Sequence, residues 1–230
     1  MTAYGEQLDS IRTTADVLAS IAVEDHGEAV PNCPGWSVGD VIRHVAWGGP
    51  RAWIALMEGD DWRAAGASAL HERLPVRDAL NELVDHLDAR DPARRCNSFF
   101  GEGTYGDWGV HCSVELALHR CDVRAALGQS AELSTTEARD GLLWSQAMLE
   151  PMVEFAGTDT PAPISVEPRV GDPIRLGSGD PVAAASGNAD DLVFWLWGRD
   201  RGGVEVTGDA TATDGWASIS GRSFQHEAIR

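Results

Sequence analysis

HCSVELALHRCD, residues 111–122, reads as a single helix. At about 100° per residue, His111, Glu115, His119 and Asp122 fall within an arc of roughly 80°, and Val114, Ala117 and Leu118 occupy a neighbouring sector. One rigid element therefore presents two imidazoles and two carboxylates on one side. Glu115 and His119 form an E-x3-H pair, whose oxygen and nitrogen donors suit borderline metals such as zinc. A third donor must come from elsewhere. His44 is the best candidate, because SVGDVIRHVAW, residues 37–47, opens with a cap signature and also reads as helical. Such a set of three leaves positions on the metal open, as catalysis requires. His111, one turn before Glu115, could be a fourth ligand or hydrogen-bond to one; its plain reading is an ordinary residue near a helix start. Asp122, three residues beyond His119, is placed to hold the second imidazole nitrogen and fix its tautomer, against the plain alternative of a solvated carboxylate.

Working outward, the first two thirds of the chain read as helical. Leu8, Ile11, Ala15, Leu18 and Ile21 recur at steps of three and four, an amphipathic helix from about Tyr4 to Val23. Pro34 and Gly35 of CPGW punctuate the chain. Ser37, with Asp40 three residues on, then caps a second helix that turns Val38, Val41, Ile42 and Val45 inward and runs to about Met57. Residues 58–73 read as an irregular connection. Pro75 suits the first turn of a third helix carrying Leu80, Leu83, Val84 and Leu87. DPARRCNSFFGEGTYGD reads as a long loop into the fourth helix, about Trp108 to Leu127, which Gly128 ends. A fifth helix, about Thr136 to Phe155, has Leu142, Leu143, Met148, Leu149 and Met152 to pack.

The composition changes after Phe155. GTDTPAP reads as a linker, and strand-like pieces follow at Ile164 to Val166, Ile174 to Leu176, Val182 to Ala184 and Val204 to Val206. Among them NADDLVFWLWGR reads as a helix with Asn188 as its cap and Gly198 as its stop. Phe194, Trp195 and Trp197 suit a helix packed on a small sheet, and Trp36 reads as a core residue locking its turn. The expected fold class is α+β, mainly helical: an up-down bundle over residues 1–156, then a small α+β domain over 164–230.

With 230 residues the chain can bury two cores of moderate size. A formal net charge of -18 argues against a nucleic-acid partner, since phosphate binding needs a basic surface. Cys33, Cys96, Cys112 and Cys121 are too sparse for a disulfide scaffold and lack C-x2-C spacing, so they read as reduced thiols. Cys112 and Cys121 are about 900° apart along their helix and cannot share a face. MTAYGEQLDS has neither the basic start nor the apolar core of a signal peptide, and no stretch reaches the roughly 20 apolar residues that span a bilayer. A cytoplasmic protein with no membrane partner is the expectation.

Three stretches in order, CPGWSVGDVIRHVAW, VELALHRCDVRAALG and NADDLVFWLWGRDRGGVEVTGD, resemble the mycothiol-dependent maleylpyruvate isomerase family over nearly the whole chain. The resemblance implies a DinB-like metal-binding helical bundle followed by a small domain related to sterol carrier proteins. It implies a divalent metal, usually zinc, on two histidines and a glutamate that match His44, Glu115 and His119. It also implies mycothiol as a thiol cosubstrate acting on a small electrophile. In the family reaction the thiol adds to the cis double bond of maleylpyruvate, the adduct rotates, and elimination gives fumarylpyruvate and returns the thiol. The family isomerase holds its acidic substrate with an arginine, which none of Arg73, Arg77, Arg94 and Arg95 matches.

The catalytic set expected on these grounds is His44, Glu115, His119 and Asp122. Three functions compete for it: a mycothiol-dependent isomerase or related thiol transferase, a metal-dependent hydrolase or detoxification enzyme, and a non-enzymatic small-molecule-binding protein with a vestigial site. A lipid-binding role drawn from the sterol-carrier likeness would be fold analogy alone.

Overall fold

Residues 3–21, 27–199 and 202–219 are described in a computed structural model of the chain. The chain divides into two units, Met1–Leu133 and Ser134–Arg230. In the first, α1 (Ala3–Ala19) buries Leu8, Ile11, Ala15 and Leu18, the periodic residues of its sequence. The extension of this helix to Val23 falls partly outside the described residues.

The segment read as one helix after Ser37 is three pieces. Ser37 and Asp40 form the expected capping box, with Asp40 N–H donating to Ser37 Oγ at 3.2 Å and Ser37 N–H to Asp40 Oδ2 at 2.9 Å. That starts α2 (Val38–Arg43), which passes into a widened π-helical turn, His44–Gly48, and then into α3 (Pro50–Glu58). Pro50 is the cause. It has no N–H for the Ala46 carbonyl and its ring crowds that carbonyl, so the helix opens ahead of it. Gly49 N–H instead reaches five residues back to the His44 carbonyl, at 3.2 Å.

Residues 58–73, expected to be irregular, contain α4 (Trp62–Glu72), whose N-cap Asp61 accepts from the N–H groups of Arg63 and Ala64. This helix buries only Gly66 and Ala69, so it carries too weak an apolar period to be read from sequence. Next comes α5 (Val76–Asp88), which buries Val76, Ala79, Leu80, Leu83, Val84 and Leu87. The expected long loop is a hairpin: β1 (Arg95–Ser98) pairs antiparallel with β2 (Gly101–Thr104), Phe99 and Phe100 making the turn. Thr104 and Asp107 then form a second capping box, so α6 (Tyr105–Ala126) begins earlier than Trp108. Trp108 Nε1 donates to the Asn97 carbonyl at 2.8 Å, tying hairpin to helix. Leu8, Ile11, Leu18, Ile42, Leu80, Leu83, Leu87 and Leu116 share one core, each contributing about 1.5–3 kcal/mol through burial.

In the second unit, α7 (Thr135–Ala156) starts from a Ser134–Glu137 capping box. The sheet order is β4-β3-β5-β6, from β3 (Ile164–Pro168), β4 (Ile174–Leu176), β5 (Ala183–Gly187) and β6 (Glu205–Gly208). β3 is parallel to β5, and the outer pairs are antiparallel. Its buried face, Ile164, Val166, Ile174, Leu176, Ala183 and Ala185, alternates with exposed or half-buried residues as a one-sided sheet must. α8 (Ala189–Leu196) buries Phe194 as expected of a helix on this sheet, and α9 (Ala210–Ala217) buries Trp216. The unit boundary precedes α7, upstream of the compositional change near residue 156. The reason is packing: Gly141 of α7 lies so close to Val193 of α8 that a Cβ would sit 2.8 Å from it, and Trp144 meets Trp197 at 4.6 Å between ring centroids. Residues 220–230 of the expected C-terminal domain lie outside the described residues.

The fold is α+β and mainly helical. No described helix is long and apolar enough to cross a membrane.

Candidate metal centre

A closed loop ahead of α2 sets the geometry. Val30 N–H donates to the Trp36 carbonyl and Val38 N–H to the Glu28 carbonyl, both at 2.9 Å. At its tip Cys33-Pro34-Gly35-Trp36 is a β-turn closed by Trp36 N–H on the Cys33 carbonyl at 2.9 Å. Proline stands second, and Gly35 at φ +84° takes the third position, where a side chain would be strained. The turn delivers Trp36 to two imidazoles. Its ring lies parallel to that of His119, 13° apart with centroids 6.5 Å away, and meets His44 edge-on at 5.1 Å. Trp36 packs against the core, as its sequence reading expected, and its half-buried ring also meets these histidines.

His44 opens the π-helical turn, and Glu115 and His119 stand one turn apart on α6. Glu115 Oε1 is 3.1 Å from His119 Nε2 and 3.8 Å from His44 Nε2, and the three donor atoms all lie within 4.8 Å of one another. Metal–ligand bonds of about 2.0–2.1 Å in tetrahedral geometry separate donors by about 3.3 Å. The observed distances bracket that value, so the residues fit a divalent ion. Exposure is graded: the His44 side chain is 30% exposed, Glu115 15% and His119 8%, so the accessible side is that of His44. Asp122 is buried, not solvated, and its Oδ2 lies 3.4 Å from His119 Nδ1. At that distance a ring proton on Nδ1 would face the carboxylate and leave Nε2 turned to the centre.

The electrostatics call for a cation. Burial opposes ionisation of Glu115, but the charge and hydrogen bond of His119 and the hydrogen bond of His44 hold its carboxyl well below the usual range. Burial likewise opposes a charged His119, yet the Glu115 carboxylate, with hydrogen bonds to Asp122 and Cys33, raises it well above an ordinary imidazole. Without a metal, a proton therefore occupies the place where positive charge is wanted.

His111 joins neither donor cluster among the described residues. It sits well inside α6, not at its start, boxed edge-on by Trp53, Phe99 and Trp108 at 5.5, 5.7 and 5.3 Å. Burial lowers it to about 4 despite the Glu115 charge, so it is neutral. Cys112 is buried and pushed well above an ordinary thiol, and burial takes Cys96 up to about 11. Cys33 alone of the four joins a donor cluster, with His119 and Asp122. Three of the four arginines beside the connections are engaged elsewhere: Arg77 with Asp16 at 3.0 Å, Arg94 over the Tyr105 ring, and Arg95 across the hairpin with Glu102. Sequence reasoning missed Asn32, whose side chain donates to Asp122 at 3.2 Å, and the contact of Cys33 with the same carboxylate. The CPGW turn was the one signal pointing there.

Residues 8–124 match the family described as the mycothiol maleylpyruvate isomerase N-terminal domain. The chain is also similar to two crystal structures of the mycothiol-dependent maleylpyruvate isomerase, one of them a mutant with a histidine replaced by alanine. Their TM-scores are 0.64 and 0.65 at 15% and 16% identity, over 92% of this chain and 98% of each of theirs. Likeness at that identity shows the fold. No curated protein sequence matches.

Proposed function

The chain belongs to the mycothiol maleylpyruvate isomerase family, and from that premise we propose that it is a metal- and mycothiol-dependent enzyme: an isomerase of the maleylpyruvate type or a thiol transferase using the same first step. The observation that carries this reading is the convergence of His44, Glu115 and His119 from two separate elements on one point with an accessible side. A divalent cation there, zinc by the chemistry of the donor set, supplies positive charge that favours thiolate over thiol near neutral pH. His44 and His119 would hold it through Nε2 and Glu115 through Oε1. Asp122 keeps His119 in the required tautomer, and burial of Glu115 and His119 excludes water from all but the His44 side.

The electrophile's chemistry then balances without oxidant or reductant. The thiol gives up its proton, and its sulfur forms a C–S bond to one carbon of a cis double bond conjugated to a carbonyl. The π pair moves onto the carbonyl as an enolate, leaving a C–C single bond free to rotate. Return of the pair breaks the C–S bond, giving the trans alkene and thiolate. A transferase would instead protonate the carbon and keep the C–S bond. The nucleophile is the added thiol and not Cys112 or Cys96, which burial holds as thiols.

Purified, zinc-loaded protein incubated with maleylpyruvate and a panel of other small electrophiles, with and without mycothiol, tests the reading. Conversion or adduct formation that needs both metal and thiol is the expected result. Full turnover after verified removal of all thiol would refute it and leave metal-assisted hydrolysis.

A further inference from the structure

We propose that Asn32 is a positioning residue for His119, acting through Asp122, and that the turn from Asn32 to Trp36 holds the histidine side of the centre in place; this rests on the metal-centre reading above. Asp122 is 1% exposed, and a carboxylate so buried must be compensated on both oxygens. The compensation is divided. Oδ1 accepts from Asn32 Nδ2 at 3.2 Å, while Oδ2 accepts from Cys33 Sγ at 3.6 Å and faces His119 Nδ1 at 3.4 Å. Asn32 and Cys33 lie 90 and 89 residues away in sequence, so the contacts are not a by-product of helix geometry.

A carboxylate three residues after a histidine on a helix can turn about its own side-chain bonds, and helix spacing alone does not keep one oxygen on the imidazole. Anchoring Oδ1 removes that freedom and leaves Oδ2 aimed at Nδ1. A thiol is a weak donor, so the Asn32 amide carries the directional part, as a hydrogen bond to an ionised acceptor. The anchor is itself fixed, because backbone hydrogen bonds close the loop at Val30 and Val38 and the turn at Trp36. Trp36, at the other end of the turn, lies over the His119 ring and against His44. One five-residue segment thus fixes the tautomer of one metal-binding imidazole and the ring planes of both.

The test is a double-mutant cycle in zinc affinity, measured by chelator competition on the full chain with thermal midpoints in parallel. Asn32→Ala is expected to weaken zinc by about tenfold, the low end for groups that orient metal-binding histidines. In an Asp122→Asn background the same change should cost less than about twofold, because the oxygen it steadied no longer bears the charge. Effects that simply multiply, an Asn32→Ala variant with unchanged affinity, or a loss that only follows lost folding would overturn the proposal. Imidazole 15N spectra of the metal-free protein separate this from the metal reading. If the wild type binds no zinc, that reading fails; a shift of the His119 Nδ1 resonance in Asn32→Ala then still supports the clamp, and an unmoved resonance overturns it.

Discussion

Raising the pH should tighten zinc binding, and Glu115→Gln should move the levelling of that dependence to lower pH. Metal needs a neutral imidazole at Nε2, whereas His119 in the metal-free protein is held as imidazolium by Glu115 and Asp122. Each metal bound therefore displaces one proton from His119. The sign follows: below the raised pKa the proton competes, so apparent affinity climbs tenfold, about 1.4 kcal/mol, per pH unit from the ordinary imidazole range up to that value, then levels. Replacing Glu115 by glutamine takes away the largest upward influence on His119. Burial, which lowers His119, is then opposed only by the hydrogen bonds to Asp122 and Cys33, so the raised value should fall. The variant should bind more weakly at high pH, having lost a carboxylate donor, and its affinity should level off at a lower pH than that of the wild type. The folded metal-free protein moves oppositely: stability from the His119 charge is full below the ordinary imidazole pKa and is lost as pH rises through the raised one. Competition with a chromophoric chelator between about pH 6 and about pH 8.5 reads the affinity. A wild-type profile flat over that window, or a levelling pH unchanged in Glu115→Gln, would refute the reasoning.

Other expectations concern neighbouring residues. His44→Ala should lose metal and turnover together while far-UV circular dichroism stays unchanged, because His44 is only partly buried and the core has its own packing. The combined variant Cys33→Ser, Cys96→Ala, Cys112→Ala, Cys121→Ala should keep thiol-dependent turnover, serine preserving a donor to Asp122; loss of turnover in a folded variant would implicate a protein thiol. In Gly109→Ala the new Cβ would meet the Tyr4 ring at 2.7 Å and Gln7 Oε1 at 2.9 Å. Overpacking should cost about 1–3 kcal/mol in denaturant melts despite the better helix propensity of alanine.

The capping box at Ser37 and the E-x3-H pair were legible because both are local: each depends on residues three or four apart. His44 was proposed as the third donor from its capped helix and matched again by the family resemblance, but no sequence period says that two helices bring their donors to one point. α4 escaped because alanine and glycine dominate its inner face, and the hairpin because β2 is glycine-rich and both strands are short. Burial of Asp122 and His111 was illegible for a different reason. Both lie on an α6 packed on nearly every side, so polar character in the sequence did not mean exposure.

The π-helical turn before Pro50 lets the chain change its rotational setting between His44 and α3. A single added or removed helical residue swings everything beyond it by about 100°. Here the extra width is absorbed between His44 and Trp53, which meets Trp108 at 6.4 Å and His111 at 5.5 Å. The segment behaves like a clutch. Deleting Gly48 would leave the proline, still without an N–H to give four residues back, so the opening would persist on one residue fewer and Trp53 would have to reset in the aromatic box around His111, while His44, upstream of the change, kept its bearing on Glu115. Length variation in this segment is thus registered by the aromatic packing and spared at the donor atoms.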